Sequence, residues 1–192
     1  MNGAKVGGRL RELIARPDLE RRVDELAAEV ARDLGTRAED DPLVVVGVLK
    51  GSVPFLADLV KRLDFPLVLD FLQASSYGTR GTTRGEVHLR KDLDLPIQGR
   101  DVLLVEDIVD SGHTANTLLD LLRLRDVRSL RLCTLLDKAE AREVDVPIDY
   151  RGFTIGNAFV VGYGLDVAER YRNLPYIAVY EPEAQAGIPS PS

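Results

Sequence analysis

Nine consecutive residues carry the densest chemistry in this chain: Glu106-Asp107-Ile108-Val109-Asp110-Ser111-Gly112-His113-Thr114. An apolar run precedes them and a leucine-rich stretch follows, so they read as the loop from a strand into a helix. Residues 110–114 put small and hydroxyl side chains at that helix N-terminus, where free backbone N–H groups and the helix dipole favour a phosphate. The chain has no Walker pattern G-x-x-x-x-G-K-S/T. Three carboxylates beside an anion seat make sense if the ligand also brings hydroxyls and a divalent cation. Glu106 and Asp107 would then accept from ribose hydroxyls, directly or through metal-bound water. The competing reading is an acidic turn in which Asp110 or Ser111 caps the helix.

Single residues elsewhere admit two readings each. Lys50 is a charge directly after a buried apolar run, and Tyr77 is an aromatic in a polar glycine loop with nothing to pack against. Lys138 reads either as a solvated strand-end lysine or as a donor to a ligand. Phe159 reads as core or as a stacking platform. Asp166 reads as the cap of a helix starting near Val167 or as a site acid, and Arg170 and Arg172 as surface charges or anion contacts. Cys133, among leucines, reads as inert core, and His88 as surface.

The elements that must position these residues follow from periodicity. Residues 18–34 repeat apolar positions at spacings of three and four, which predicts a helix, with Pro17 before it and Gly35 after it. Residues 43–49 are a continuous valine-rich run, the pattern of a strand buried on both faces. Residues 50–52 form a short loop into a helix over 54–63, with Pro54 in its first turn. Strands are expected at 67–72, 101–105 and 130–136, a returning strand at 86–90, and short strands at 159–161 and 177–179. A helix is expected over 114–124. Residues 75–85, rich in Gly, Ser, Thr and Arg, read as a long mobile loop. Residues 1–8 read as frayed, and the tail after 183 as disordered. Strands alternating with helices give an α/β fold with a central parallel sheet covered on both faces. Ligands in such sheets sit at the carboxyl ends of strands, near a switch point.

Composition narrows the classes. The chain has 192 residues, 45% hydrophobic and 29% charged, which suits one domain and argues against wholesale disorder. A net charge of −6 without a basic cluster argues against a nucleic-acid partner. One cysteine excludes an internal disulfide and suits a reducing, cytoplasmic setting. Two histidines and that cysteine, far apart in sequence, do not suggest a zinc site, while carboxylate sites for magnesium stay open. No apolar stretch is long enough to span a membrane.

The run from Val102 to Thr114 resembles the phosphoribosyl-pyrophosphate (PRPP) binding motif of type I phosphoribosyltransferases: two acids, two apolar residues, then Asp-Ser-Gly-x-Thr. PRPP-binding regulators and PRPP synthases share it. Three further segments resemble the hypoxanthine-guanine branch. Val48-Leu49-Lys50-Gly51-Ser52 is similar to its pyrophosphate loop. Ser75-Ser76-Tyr77-Gly78 is similar to the start of its mobile flap. Residues 159–166, followed by 169–176, are similar to its purine-binding strand and loop, and Leu136-Asp137-Lys138 to the strand end with a purine-contacting lysine. His113 stands where the family varies.

The resemblance covers residues 44–181 and implies one domain over 1–182, with a small hood built from terminal segments and a flap loop. It implies transfer of ribose-5-phosphate from PRPP to hypoxanthine or guanine, giving IMP or GMP and pyrophosphate, in a homodimer or homotetramer that binds neither nucleic acid nor membrane. It implies that Asp110 sits near the purine N7 as catalytic proton acceptor or donor. Ser111, Gly112, His113 and Thr114 hold the 5′-phosphate, and Lys50, Gly51 and Arg172 contact pyrophosphate. Ser76 and Tyr77 join from the flap. Lys138 donates to the 6-oxo group, Phe159 stacks on the ring, and Val160 reads the base edge through its backbone. Glu106 and Asp107 face ribose and Mg2+, and Asp166, counted with the purine-binding residues, helps hold a second magnesium near pyrophosphate. It also implies a cis peptide at Leu49–Lys50. A PRPP-binding regulator and an enzyme preferring xanthine remain the alternatives.

Overall fold

The structure, a computed structural model, describes residues 8–76 and 87–183. The mobile-loop expectation for 75–85, apart from its first two residues, and the disordered tail both lie outside them. Two sheets organise the chain. The larger contains β2 (Leu43–Leu49), β3 (Leu67–Ser76), β4 (Val87–Lys91), β5 (Asp101–Val109), β6 (Ser129–Asp137) and β7 (Tyr150–Thr154), in the order β4-β3-β2-β5-β6-β7. All its neighbours run parallel except β4, which returns antiparallel to β3. The smaller pairs β1 (Gly8–Ile14), β9 (Ile177–Pro182) and β8 (Val160–Val161) antiparallel, in the order β1-β9-β8.

The continuous apolar strands are explained by two packed faces. Val45, Leu103, Val105 and Leu135 join a core beneath α1 (Arg16–Leu34) and α2 (Val53–Val60). Val44, Val46, Leu104 and Leu132 point the other way, onto α3 (His113–Arg123). Helix α1 buries Leu19, Val23, Leu26, Ala27, Val30 and Leu34 on one stripe. Full burial of each Leu or Val there contributes about 1.5–3 kcal/mol. Among the described residues no helix is long and apolar enough to cross a membrane.

Four sequence expectations change. Strand β5 does not stop at 105 but runs to Val109, because Glu106 pairs in register with Thr134 and Val109 with Asp137. Glu106 and Asp107 therefore lie inside a strand, not in a loop. Gly8 is not frayed; it opens β1, opposite Pro182. Strand β7 had no counterpart in the sequence reading, and neither did the body of β1. No helix starts near Val167: residues 166–173 form a turn, with Ala168, Glu169 and Tyr171 at positive φ.

The chain leaves β2 toward β3 on one side, while β5 lies on the other. Loops leaving the carboxyl ends of β2 and β5 diverge there and open a crevice.

Candidate active site

That crevice is a cleft of about 230 Å³, lined by Val48, Glu106, Asp107, Asp110, Ser111 and Thr114 among others. Its floor is the turn from β5 to α3. Gly112, at φ 93°, is the N-cap residue of α3, and no side chain caps the helix. The capping role for Asp110 or Ser111 is thereby excluded, and both side chains are left for other work. A Cβ on Gly112 would lie 2.7 Å from the Val144 carbonyl, so the turn also requires glycine for space. The Ser111 carbonyl accepts from the N–H groups of Glu143 (2.9 Å) and Val144 (3.2 Å), which braces the turn from outside. The first amides of α3 have no partner within the helix and face the helix entrance. The His113 side chain is engaged elsewhere, 2.9 Å from Glu143, and does not line the cleft.

Glu106 is buried and Asp107 half-buried. Burial, then the adjacent Asp107 charge, pushes the Glu106 carboxyl well above the usual carboxylate range. Burial also raises Asp107, to about 6, against the opposing pull of backbone N–H groups and the Arg172 charge. Such a pair of hard oxygen donors at the cleft edge suits a magnesium ion that keeps most of its ligands as water and substrate oxygens. Among the described residues no three His, Cys, Asp or Glu side chains cluster closely enough to cage a metal.

The loop after β2 meets this pair directly. The Leu49–Lys50 peptide is cis. Gly51 is packed so closely on Asp107 that a Cβ would collide with the carboxylate, and a Cβ on Gly164 would collide with the Gly51 carbonyl. Ser52 is buried and donates its hydroxyl to the Val48 carbonyl at 2.7 Å. Lys50 reaches Glu169 at 3.1 Å, and Arg172 contacts Glu169 at 3.4 Å and Asp166 at 2.7 Å. The Arg172 guanidinium also donates to the Gly164 carbonyl at 2.7 Å. Asp166 accepts from the Glu169 N–H at 2.8 Å, so it heads a turn rather than a helix.

On the other flank, Lys138 is buried at the end of β6, and its Nζ donates to Asp110 Oδ2 at 2.9 Å. The solvated-lysine reading is therefore wrong. Its N–H donates to the Val109 carbonyl at 3.0 Å, which ties the lysine to the end of β5. Phe159 is 54% exposed, with its ring edge-on to Tyr180 at 6.1 Å; it is not a core residue. Val160 follows it in β8, buried and paired with Val179. Ser76 is the last residue of β3, and Tyr77 lies outside the described residues.

The fold thus links Asp110 with Lys138, and Gly51 with Asp107, Gly164 and Arg172. Val160 sits on the separate small sheet, and Phe159 flanks it, its carbonyl accepting from the Tyr180 N–H at 2.9 Å. Sequence reasoning passed over Glu169, although Glu169 and Arg172 stand at a pairing distance in sequence. It also passed over Asp137, which is buried and bonded to Arg142 and, at 2.8 Å, to Arg151.

Comparison with known proteins agrees with this geometry. The family described as phosphoribosyl transferase domain matches residues 10–168. A Bacillus subtilis protein named hypoxanthine-guanine phosphoribosyltransferase is 48% identical over 170 residues, covering 88% of this chain and 92% of its own. The Listeria monocytogenes bifunctional protein TilS/HprT is 50% identical over 171 residues and 89% of this chain, but the chain spans only 26% of that relative's length. Among solved structures, a hypoxanthine-guanine phosphoribosyltransferase from Bacillus anthracis, with HEPES in its active site, superposes at a TM-score of 0.83. It is 45% identical and covers 89% of this chain and 99% of its own. A cleft built from an Asp-Ser-Gly turn, an acidic strand end and a glycine loop, matched over most of its length, leaves one conclusion: the chain belongs to the phosphoribosyltransferase family.

Proposed function

We propose that this chain salvages purines, transferring the 5-phosphoribosyl group of PRPP to hypoxanthine and guanine. The bond from the anomeric carbon to pyrophosphate breaks, and a bond from that carbon to a purine ring nitrogen forms. The observation that carries the 6-oxopurine reading is the buried Lys138 ammonium, 2.9 Å from Asp110. An ammonium only donates, so it pairs with a 6-oxo acceptor and opposes the 6-amino group of adenine. Asp110, on the same bond, is the group to hold or return the proton near N7.

The rest of the site divides by charge. The turn from Ser111 to Thr114 seats the 5′-phosphate, with His113 contributing its backbone rather than its ring. Lys50 and Arg172 neutralise pyrophosphate and Gly51 contacts it, with Ser76 and Tyr77 on the flap side. Phe159 and Val160 receive the base. Glu106 and Asp107 face the ribose and would hold Mg2+, with Asp166 near a second ion. A magnesium ion held there would supply charge neutralisation to the departing pyrophosphate. Preorganised charge at that oxygen, together with exclusion of water, is what the protein itself adds.

We assign the chain to one catalytic domain over 1–182, a homodimer or homotetramer, acting in the cytoplasm on small molecules alone. The buried single cysteine suits that compartment. The decisive experiment is a spectrophotometric assay with PRPP, magnesium and each of hypoxanthine, guanine, xanthine and adenine. Activity with hypoxanthine and guanine, and none with adenine, supports the reading. PRPP binding without transfer to any base would make the chain a PRPP-binding regulator instead.

A further inference from the structure

Tyr163 stands between Gly162 and Gly164, and all three have positive φ, at 99°, 48° and 102°. Glycine adopts that conformation freely; a tyrosine does so against steric cost, so its surroundings must over-determine it. Two contacts do. The ring packs, half-buried, against the core under α2. The hydroxyl donates to Asp58 Oδ2 at 2.7 Å, across 105 residues of sequence. Burial, reinforced by the Asp58 carboxylate, pushes the phenol well above its ordinary range, so it stays a donor.

What the turn carries gives that anchor its consequence. Tyr163 N–H donates to the Leu174 carbonyl (2.9 Å) and Gly164 N–H to the Arg172 carbonyl (3.0 Å). The Gly164 carbonyl in turn accepts from the Arg172 guanidinium at 2.7 Å. Gly164 also abuts the Gly51 carbonyl with no room for a Cβ. The turn is therefore a wedge between Arg172 and the Gly51 loop, and α2 holds it from behind through one side-chain hydrogen bond.

We propose that Tyr163 and Asp58 form a positioning pair that sets the 162–166 turn and, through it, the seating of Gly51 and Arg172 for the pyrophosphate end of PRPP. The substrate in that statement rests on the function proposed above; the mechanical part does not. Neither side chain need touch substrate.

The test uses the full chain with Tyr163→Phe, Asp58→Ala and Asp58→Asn. The asparagine carbonyl can still accept from the phenol, so it is the conservative rescue. Losing one hydrogen bond to a charged group at this anchor should raise KM for PRPP about tenfold in Tyr163→Phe and Asp58→Ala. KM for hypoxanthine and kcat should stay within about twofold, the signature of lost ground-state seating. Asp58→Asn should stay near wild type. In the free protein, hydrogen exchange at residues 163 and 164 should accelerate in Tyr163→Phe and Asp58→Ala only. Equal rises in KM for both substrates, damage in Asp58→Asn equal to that in Asp58→Ala, or unchanged exchange would each overturn the pair. If Tyr163→Phe does not fold, the two Asp58 variants carry the same comparison. A wild type without transferase activity would defeat the function reading, while the exchange data would still decide the anchor.

Discussion

Asp110 and Lys138 answer to each other before any ligand does. Asp110→Asn keeps the size of the side chain but cannot take a proton, so turnover should fall by about 10²–10⁴-fold while PRPP affinity stays close to normal. Lys138 is left buried beside an amide, but the Asp110 side of the pair is half exposed, so the melting temperature should fall only slightly. Near-normal turnover in calibrated assays would remove Asp110 from proton transfer. Gly51→Ala is a harsher test of geometry. The added methyl meets the Asp107 carboxylate, and either the loop or the acid must move. Calorimetry should show PRPP binding lost or weakened by at least about tenfold, a loss of about 1.4 kcal/mol; an unchanged dissociation constant would take Gly51 out of the site. The residues around both positions were readable in the sequence because small, acidic and hydroxyl types crowd into one short run there. The bond between Asp110 and Lys138 was not readable: nothing in either neighbourhood says that the ends of β5 and β6 stand side by side until the register is known.

At the scale of an element, β5 extends its pairing through two acids, and that carries a pH signature. The folded-state values of Glu106 and Asp107 lie above their unfolded ones, so the folded chain binds more protons in the interval between them. Stability from this pair is therefore greatest at low pH and falls as pH rises from about 4, through about 6 for Asp107 and higher for Glu106. Carboxylates held low by partners, such as Asp92 with its backbone N–H and Arg125 contacts, give the opposite slope. The difference between proteins isolates the pair. The double variant Glu106→Gln, Asp107→Asn should gain melting temperature relative to wild type between pH 4 and 7, while losing PRPP affinity and needing more magnesium. A flat difference across that range would mean the pair is not held under burial.

Sequence periodicity recovered α1 and β2 because their apolar patterns are long and regular. It missed β1 because the GRLRELI segment lies mostly exposed and so carries no alternation to detect. It ended β5 early because acids are poor strand formers until a neighbouring strand supplies partners.

The described strands form two sheets. On the proposed function the large one serves the phosphate and ribose side, and Phe159 flanks the small one. Tyr180, buried in β9, supports Phe159 edge-on at 6.1 Å and also meets Tyr171 at 6.1 Å. Tyr180→Ala should therefore loosen the aromatic platform. KM for hypoxanthine should rise about fivefold to tenfold, in line with an aromatic contact of about 1 kcal/mol plus lost packing, with PRPP affinity unchanged. If PRPP affinity falls equally, the two sheets do not divide the ligands.

The pairing of β1 with β9 has a consequence for how the chain comes into being. A strand cannot pair before its partner exists, and β1 waits for residues 177–182. The six strands of the large sheet are all in hand by residue 154. During synthesis, which proceeds from the N-terminus at about 5–20 residues per second, the nascent chain holds every described strand of the large sheet while β1 is still unpaired. The small sheet, beside which Phe159 stands, is completed last.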